Sequence, residues 1–405
     1  MNTLNKTKYI LYITALTTVF VSSLWGLFFM APGAIKAIYA SCLWFCIIIF
    51  PYISIQKNDL SKTGNYLLIT LLIMTVIQIV RSIISTEDYL YAFGNKWLTL
   101  FGNEYTSLLL FPPLFTYLGT QTYSVHLLKK STYIFLVIGL ILSVFMNFPL
   151  AMLTTFIIAL YPYVGIKYKL LIVISIIEAF IKSTVGENST RMYIITAGFA
   201  LICYLLVYII QNIKIIKFFA VTIIIAPLFL FVPILFSSDN NPTTFQNMQA
   251  YIMQKSEDES LASDTRTFLY LEMAEDLNDT KSWLWGKGAY STYYSYYFDE
   301  SNTGKYGRIS SEVPFLNFLL RGGILYVTAY FGLILLAIYQ AIWNGKNKFV
   351  QSIGIIALGW YFNSFIGDIT GCRFYHIAFF LLLGCCLSRR WLNYTDNQIT
   401  HLLKQ

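Results

Sequence analysis

Charged residues are scarce in this 405-residue chain: they make up 12% of it, whereas 57% is hydrophobic and 18% aromatic. So little charge excludes a soluble globular domain of this size. The chain instead contains repeated apolar stretches of about twenty residues, the length that crosses a hydrocarbon core of about 30 Å. The composition therefore predicts an all-α polytopic membrane protein.

Other absences narrow this class. The first apolar run follows basic residues but has no small-residue cleavage site, so we expect a retained span rather than a removed signal. No two-fold internal repeat is visible, which argues against many transporter folds. The few cysteines lie in or beside predicted spans, which excludes a disulfide framework or a zinc site and favours buried apolar packing. They are Cys42, Cys46, Cys203, Cys372, Cys385 and Cys386.

Twelve spans are expected in a single membrane domain of residues 1–405, with one large extracytoplasmic loop, 237–310, between spans nine and ten. This loop, from Ser237 to Ser310, is expected to contain short helices. The predicted spans are Tyr9 to Met30, Ile35 to Ile55, Tyr66 to Ile84, Thr106 to Thr120, Thr132 to Met146, Leu150 to Val164, Leu170 to Val185, Met192 to Gln211, Phe218 to Phe236, Pro314 to Trp343, Phe349 to Ile366 and Phe374 to Leu387.

Lysine and arginine are divided unequally between the two sides of these spans. One side has fifteen of them against two acids, a net charge of +13, and the side with the long loop has a net charge of −5. Because positive residues in short loops are retained in the cytoplasm, we expect the first side to be cytoplasmic and to hold both termini. The long loop is then periplasmic or extracellular.

Six of the eight arginines nevertheless fall on the outer side. A planar guanidinium binds carboxylate or phosphate at two points, which suggests an anionic ligand at the outer face. Arginine side chains also reach lipid headgroups and balance the acids of that side, so the structural explanation stays open. The six are Arg81, Arg191, Arg266, Arg308, Arg321 and Arg373.

The long loop contains two amphipathic helical patterns, TFQNMQAYIMQK and DTRTFLYLEMAEDLND, separated by the acidic stretch SEDES. The second begins with Asp264 as an N-cap and repeats apolar residues at Phe268, Leu271 and Ala274. It places Arg266 in the first turn, the wrong charge for the positive end of a helix. An anion is therefore expected nearby, either a bound ligand or one of the SEDES acids.

An aromatic segment, WLWGKGAYSTYYSYYFDE, follows this helix. Tyr290 and Tyr293 combine a ring with a hydroxyl, which suits a glycan groove, although tyrosine and tryptophan also concentrate at membrane interfaces. The turn Gly286 to Gly288 is too short for a phosphate-binding loop.

Charged residues also lie in or beside the spans. Glu178 and Lys182 stand four apart on one helix face, where they form either a functional site or a self-satisfied ion pair. Arg191 lies just outside the following span, where it can face a ligand at headgroup level. Arg373 is placed similarly before the last span, with Asp368 as a structural partner close in sequence.

The stretch GRISSEVPFLNFLLRGG joins the long loop to the tenth span. Pro314 suits a first helical turn, where amides lack helical partners, and we expect Glu312 in that turn. Gly323 falls on the same helix face and would leave room for a lipid-linked substrate. Arg321 is expected on the opposite side.

The span layout and three motifs resemble the bacterial O-antigen polymerase (Wzy-type) and O-antigen ligase superfamily of membrane glycan transferases. STR ending at Arg191, DTRTFLYLEMAEDLNDTKSWLWGKG with Arg266, and SSEVPFLNFLLRGGILYV carry the resemblance. It extends over nearly the whole chain in layout and is most specific from Asn188 to Tyr326. Ligases usually begin the third motif with histidine and asparagine, whereas this chain has Glu312 there and no histidine in the loop.

The resemblance implies a glycosyltransferase of the bacterial inner (plasma) membrane that moves a glycan from undecaprenyl diphosphate to a sugar hydroxyl, with no cofactor, metal or nucleotide sugar. The arginines would bind the diphosphate, and Glu312 would be the base unless it is an ordinary acid near a helix start. The implied catalytic residues are Glu312, Arg191 and Arg266. The implied substrate-binding residues are Arg191, Arg266, Arg308, Arg373, Tyr290 and Tyr293.

Because the ligase histidine is missing, the sequence favours a polymerase of O-antigen, capsule or exopolysaccharide repeat units. An O-antigen ligase acting on lipid A-core or another acceptor, and a flippase or other transporter of lipid-linked oligosaccharide, are the alternatives. The expected partners are the lipid-linked oligosaccharide and the lipid bilayer. Binding of a polysaccharide chain-length regulator is left open, and no nucleic acid is expected.

Overall fold

The computed structural model describes residues 59–84, 104–145, 156–185, 191–236, 267–295, 308, 310–367 and 374–404. Within these ranges the chain is mostly helical and has two isolated β-bridges but no strand. The first two predicted spans and the first amphipathic pattern of the long loop lie outside the described residues. Arg266 and Arg373 lie outside them as well.

The helices are numbered here in chain order. They are α1 (Lys62–Ile84), α2 (Glu104–Gly119), α3 (Thr122–Phe145), α4 (Ile166–Val185), α5 (Arg191–Tyr204), α6 (Ile213–Leu230), α7 (Thr267–Asp279), α8 (Pro314–Tyr339), α9 (Lys348–Asn363), α10 (Phe374–Leu387), α11 (Arg389–Asn393) and α12 (Asp396–Lys404). Short 3₁₀ or π segments are Ile158–Tyr163, Leu205–Ile210, Val232–Phe236 and Gln340–Asn344.

Three helical segments are long and apolar enough to cross a membrane: Lys62–Ile84, Ile213–Phe236 and Pro314–Asn344. Their neighbours expose large apolar side chains too, and Ile177 of α4 is 52% exposed. Apolar surface on this scale is rare on soluble monomers and is compatible with a lipid surround. The full set of twelve spans stays a prediction.

The centre of the bundle is formed by α9 and α10, which are almost entirely buried. α10 packs closely along α2, because Gly119 and Gly384 lie at their crossing; a Cβ on Gly384 would lie 2.1 Å from the Thr116 carbonyl oxygen. Cys385 fills the adjacent space, with its thiol donating to the Gly119 carbonyl at 3.5 Å. Buried apolar packing is thus confirmed for the free thiols of Cys203, Cys385 and Cys386.

Two stretches differ from the sequence-based expectation. α3 begins at Thr122 rather than at Thr132 and includes Lys129, whose ammonium donates to the Leu403 carbonyl. The predicted span ending at Val164 finishes as a 3₁₀ segment that contains Pro162. Proline has no N–H to continue an α-helical ladder.

Residues that the distribution of lysine and arginine assigned to the cytoplasmic side lie together at one end of the bundle. Asp59 pairs with Arg390 at 2.7 Å, and the Lys346 N–H donates to the Leu392 carbonyl. The opposite end, called the loop end below, holds α7, the end of α1 and the start of α8. The assignment of these ends to cytoplasm and outside stays a prediction.

Candidate functional site at the loop end

α8 is interrupted near its start. Gly323 has φ +65° and ψ −171°, a conformation that is essentially restricted to glycine. In an unbroken helix the N–H groups of Ile324 and Leu325 would donate to the carbonyls of Leu320 and Arg321. The interruption frees these four backbone groups inside an apolar setting, where each needs another partner.

The segment WLWGKG, residues 283–288, supplies those partners. The Lys287 and Gly288 N–H groups donate to the freed carbonyls of α8 at 2.6 and 3.2 Å. The freed N–H groups of α8 donate to the Trp283 and Leu284 carbonyls at 2.8 and 3.3 Å. The glycine-containing turn is therefore the part of the loop that docks into the broken helix. The expectation that Gly323 leaves room for a lipid-linked substrate is wrong, because loop backbone fills that space.

Two of the arginines that the sequence assigns to the outer side donate hydrogen bonds to backbone carbonyls at this junction. The Arg81 guanidinium donates to the Trp285 carbonyl at 2.8 Å and to the Gly286 carbonyl at 3.0 Å. Arg321 is entirely buried and donates to the Asn317 carbonyl one turn earlier at 3.2 Å. Both contacts stabilise the start of α8 and the WLWGKG segment.

An ion pair fastens the same segment to α7. The Lys287 ammonium lies 2.9 Å from the Asp276 carboxylate and also donates to the Thr292 carbonyl at 2.7 Å. The side chains are only 14% and 12% exposed. A pair this buried is costly to break on one side only, because the other charge is left without compensation.

Lys287→Met is therefore expected to destabilise the protein by about 3 kcal/mol. This is the lower end of the range for breaking a buried ion pair, because both side chains keep slight exposure to solvent. The double variant Lys287→Met/Asp276→Leu should recover part of the loss because neither charge is left alone. Thermal unfolding in detergent, followed by tryptophan fluorescence, measures both. A double variant as unstable as the single one would contradict an energetic role for the pair.

The second amphipathic pattern of the loop is confirmed as α7, but its buried face is broader than expected. Phe268 and Leu271 are half-buried, whereas Tyr270, Met273 and Leu277 are fully buried. The Tyr270 hydroxyl donates to the Phe365 carbonyl at 2.6 Å, which seats α7 on the end of α9.

A buried carboxylate lies on α7 beside the returning loop. Glu272 is 9% exposed and accepts a hydrogen bond of 2.6 Å from the Ser295 hydroxyl. Tyr293, two residues before Ser295, forms two backbone hydrogen bonds with Arg308. The Tyr293 N–H donates to the Arg308 carbonyl at 3.0 Å, and the Arg308 N–H donates to the Tyr293 carbonyl at 2.8 Å. Residues in such an antiparallel pair carry their side chains on the same face. Arg308 is therefore directed to the side where Tyr293 lies.

Glu312 lies at the start of α8 next to Arg308. The helix begins at Pro314 with Val313 as its N-cap, so Glu312 precedes the first turn, contrary to the expectation. The Ser311 hydroxyl accepts a hydrogen bond from the Val313 N–H, which holds residues 311–313 in a turn before the helix. The Glu312 carboxylate lies 4.0 Å from the Arg308 guanidinium, with side-chain exposures of 45% and 20%. The Glu312 carboxylate is thus accessible to solvent.

The polar group formed by Glu272, Tyr293, Ser295, Arg308 and Glu312 is called the seam cluster. The charges of this cluster act on Tyr293, and burial raises the pKa of its phenol to about 12. The Arg308 charge opposes this rise in pKa and the Glu272 charge adds to it. Tyr293 therefore stays a protonated, uncharged hydroxyl at physiological pH.

The structure brings together three of the predicted site residues, Glu312, Arg308 and Tyr293. Tyr290 lies apart, buried against α1 with its N–H donating to the Ser82 hydroxyl at 3.1 Å. Arg191 is the first residue of α5. Sequence reasoning missed Glu272 and Ser295, because one more acid on an amphipathic helix and one more serine in a polar loop carry no signal of their own.

These features define a helical protein with candidate membrane spans and a polar cluster at one end of the bundle. Comparison of the chain with known proteins found no matching family model, no matching curated protein and no matching solved structure.

Proposed function

We propose that the chain is a membrane glycosyltransferase that polymerises lipid-linked oligosaccharide repeat units of O-antigen, capsule or exopolysaccharide. The observation that carries the proposal is the seam cluster, in which Glu312, Arg308 and Tyr293 converge at an accessible end of the bundle. Glu312 was expected from the motif that resembles those of glycan polymerases and ligases, and Arg308 and Tyr293 were expected as substrate-binding residues. In this proposal the loop end faces the periplasm or cell exterior, above the plasma membrane.

In the proposed reaction, an acceptor sugar hydroxyl attacks the anomeric carbon of the donor glycan. The new C–O bond forms as the bond to undecaprenyl diphosphate breaks, and the electron pair leaves with the diphosphate. Glu312 takes the proton of the attacking hydroxyl, and its exposed carboxylate is accessible for this role. Arg191 and Arg266 offset the charge that develops on the leaving group.

The alternatives receive less support. Transporters commonly use the open backbone of a broken helix to bind ligand, whereas the break in α8 is already occupied by residues 283–288. An O-antigen ligase would share the fold and much of the chemistry. The glutamate in place of the ligase histidine favours the polymerase.

A gel of surface glycan from a strain that lacks the gene tests the proposal. We expect single repeat units still attached to their anchor, because chains can no longer be extended. Polymer accumulating on the lipid carrier beside an uncapped anchor would instead identify a ligase, and repeats trapped at the cytoplasmic face a flippase. Normal polymer in this strain would refute all three functions.

A further inference from the structure

The seam cluster carries more negative than positive charge. Within the described part of the chain, its ionised groups are Arg308, Glu272 and Glu312, so one cation stands among two carboxylates. Tyr293 adds no charge because its phenol stays protonated. Arg308 faces Glu312 directly, and Glu272 is near enough to influence the same phenol as Arg308 does.

This balance is unsuited to a diphosphate. A phosphate group approaching Arg308 would be repelled by Glu312 at short range and by the buried charge of Glu272, which is poorly screened by solvent. Sites that hold phosphate combine several cations or N–H groups that have no competing carboxylate. The seam cluster has the opposite composition.

The same groups suit neutral hydroxyls. A carboxylate accepts hydrogen bonds from neighbouring hydroxyls, and a guanidinium donates to their oxygens. The accessible members are Glu312 and Arg308, whereas Glu272, Tyr293 and Ser295 are buried. A ligand would therefore contact the first two, and the other three would hold them in place.

We propose that the seam cluster binds hydroxyls of the acceptor sugar and not the diphosphate of the donor, with Glu272 as a positioning residue. The term acceptor rests on the proposed function, whereas sugar binding itself does not. Glu272 acts in two ways. It anchors Ser295, two residues from the bridge that fixes Arg308, and its charge keeps Arg308 from attracting anions.

Binding of two probes to the full-length protein in lipid nanodiscs tests the proposal by calorimetry. One probe is the repeat-unit oligosaccharide released by mild acid from the lipid-linked pool of the producing strain, and the other is inorganic diphosphate. We expect Glu312→Gln and Glu272→Gln each to weaken oligosaccharide binding by at least about tenfold, as for a lost charged hydrogen bond. Glu272→Gln should also bind diphosphate more tightly than the unaltered protein, which a purely structural role would not produce.

Two further variants serve as controls. Glu275→Gln changes an exposed acid on the same helix and should leave both affinities unchanged. Ser295→Ala removes the hydrogen bond but keeps the Glu272 charge, so it should weaken oligosaccharide binding without strengthening diphosphate binding. If Glu272→Gln unfolds, Ser295→Ala and Glu312→Gln still decide the outcome.

Unchanged oligosaccharide affinity in Glu312→Gln and Ser295→Ala would overturn the proposal, as would failure of the unaltered protein to bind the oligosaccharide. Diphosphate binding that depends on Glu312 would overturn it too. Oligosaccharide binding through the cluster in a protein whose loss leaves surface glycan normal would refute the polymerase and leave the sugar site standing.

Discussion

Gly323→Ala is expected to destabilise the protein by about 2–6 kcal/mol. Its backbone conformation costs a residue with a Cβ about 1–3 kcal/mol. The new Cβ would also lie 2.4 Å from the Leu284 carbonyl oxygen and 2.5 Å from the Gly286 nitrogen. Both obstacles are backbone atoms of the WLWGKG segment, which is docked at the α8 break, so they cannot turn aside as a flexible side chain would. Overpacking of this kind costs about 1–3 kcal/mol more.

Gly332→Ala is the matched control on the same helix. Among the described residues its Cβ would find only a Leu67 methyl group at 3.7 Å, an ordinary contact, and its backbone conformation is helical. Alanine is a better helix former than glycine, so this variant should be as stable as the unaltered protein or slightly more so. Apparent melting temperatures in one detergent compare the two. Equal melting of Gly323→Ala and Gly332→Ala would contradict the docking of the loop at the break.

The same docking explains why part of the fold is readable from sequence and part is not. Long apolar runs specify α1 and α6 because a helix of that composition has few other ways to satisfy its backbone in lipid. The Gly322–Gly323 pair reads as an ordinary part of such a run. What breaks the helix is a distant loop segment, WLWGKG, whose hydrogen bonds replace those of α8. No local pattern specifies that pairing.

The candidate site also has residues that the sequence predicts and residues that it does not. Glu312 and Arg308 could be selected because they are charged residues close to the start of a predicted span. Glu272 could not, because its importance depends on burial and on contact with Ser295, which the fold creates. The position of Glu312 before the helix also escaped sequence reasoning, because the N-cap is set by the turn at Ser311.

If the protein is the proposed polymerase with Glu312 as its base, Glu312→Gln is expected to reduce polymer formation by about 10²–10⁴-fold, the usual contribution of a general base. The amide keeps the size of the side chain but cannot take a proton. Stability should hardly change, because the pair with Arg308 is 4.0 Å long and half-exposed, and such pairs contribute at most about 1 kcal/mol. Surface glycan on a gel, together with protein level in isolated membranes, measures both effects.

A large loss of polymer together with unchanged stability would separate a functional carboxylate from a structural one. Glu275→Gln, on exposed α7 surface, should give normal polymer at the same protein level. If Glu312→Gln gave near-normal chain length, Glu312 would be a structural residue near the helix start. If polymer and melting temperature fell together, the loss would be one of folding. Loss of polymer at unchanged stability fits a weakly paired, accessible carboxylate that acts on the acceptor hydroxyl, both binding it and taking its proton, rather than one that supports the fold.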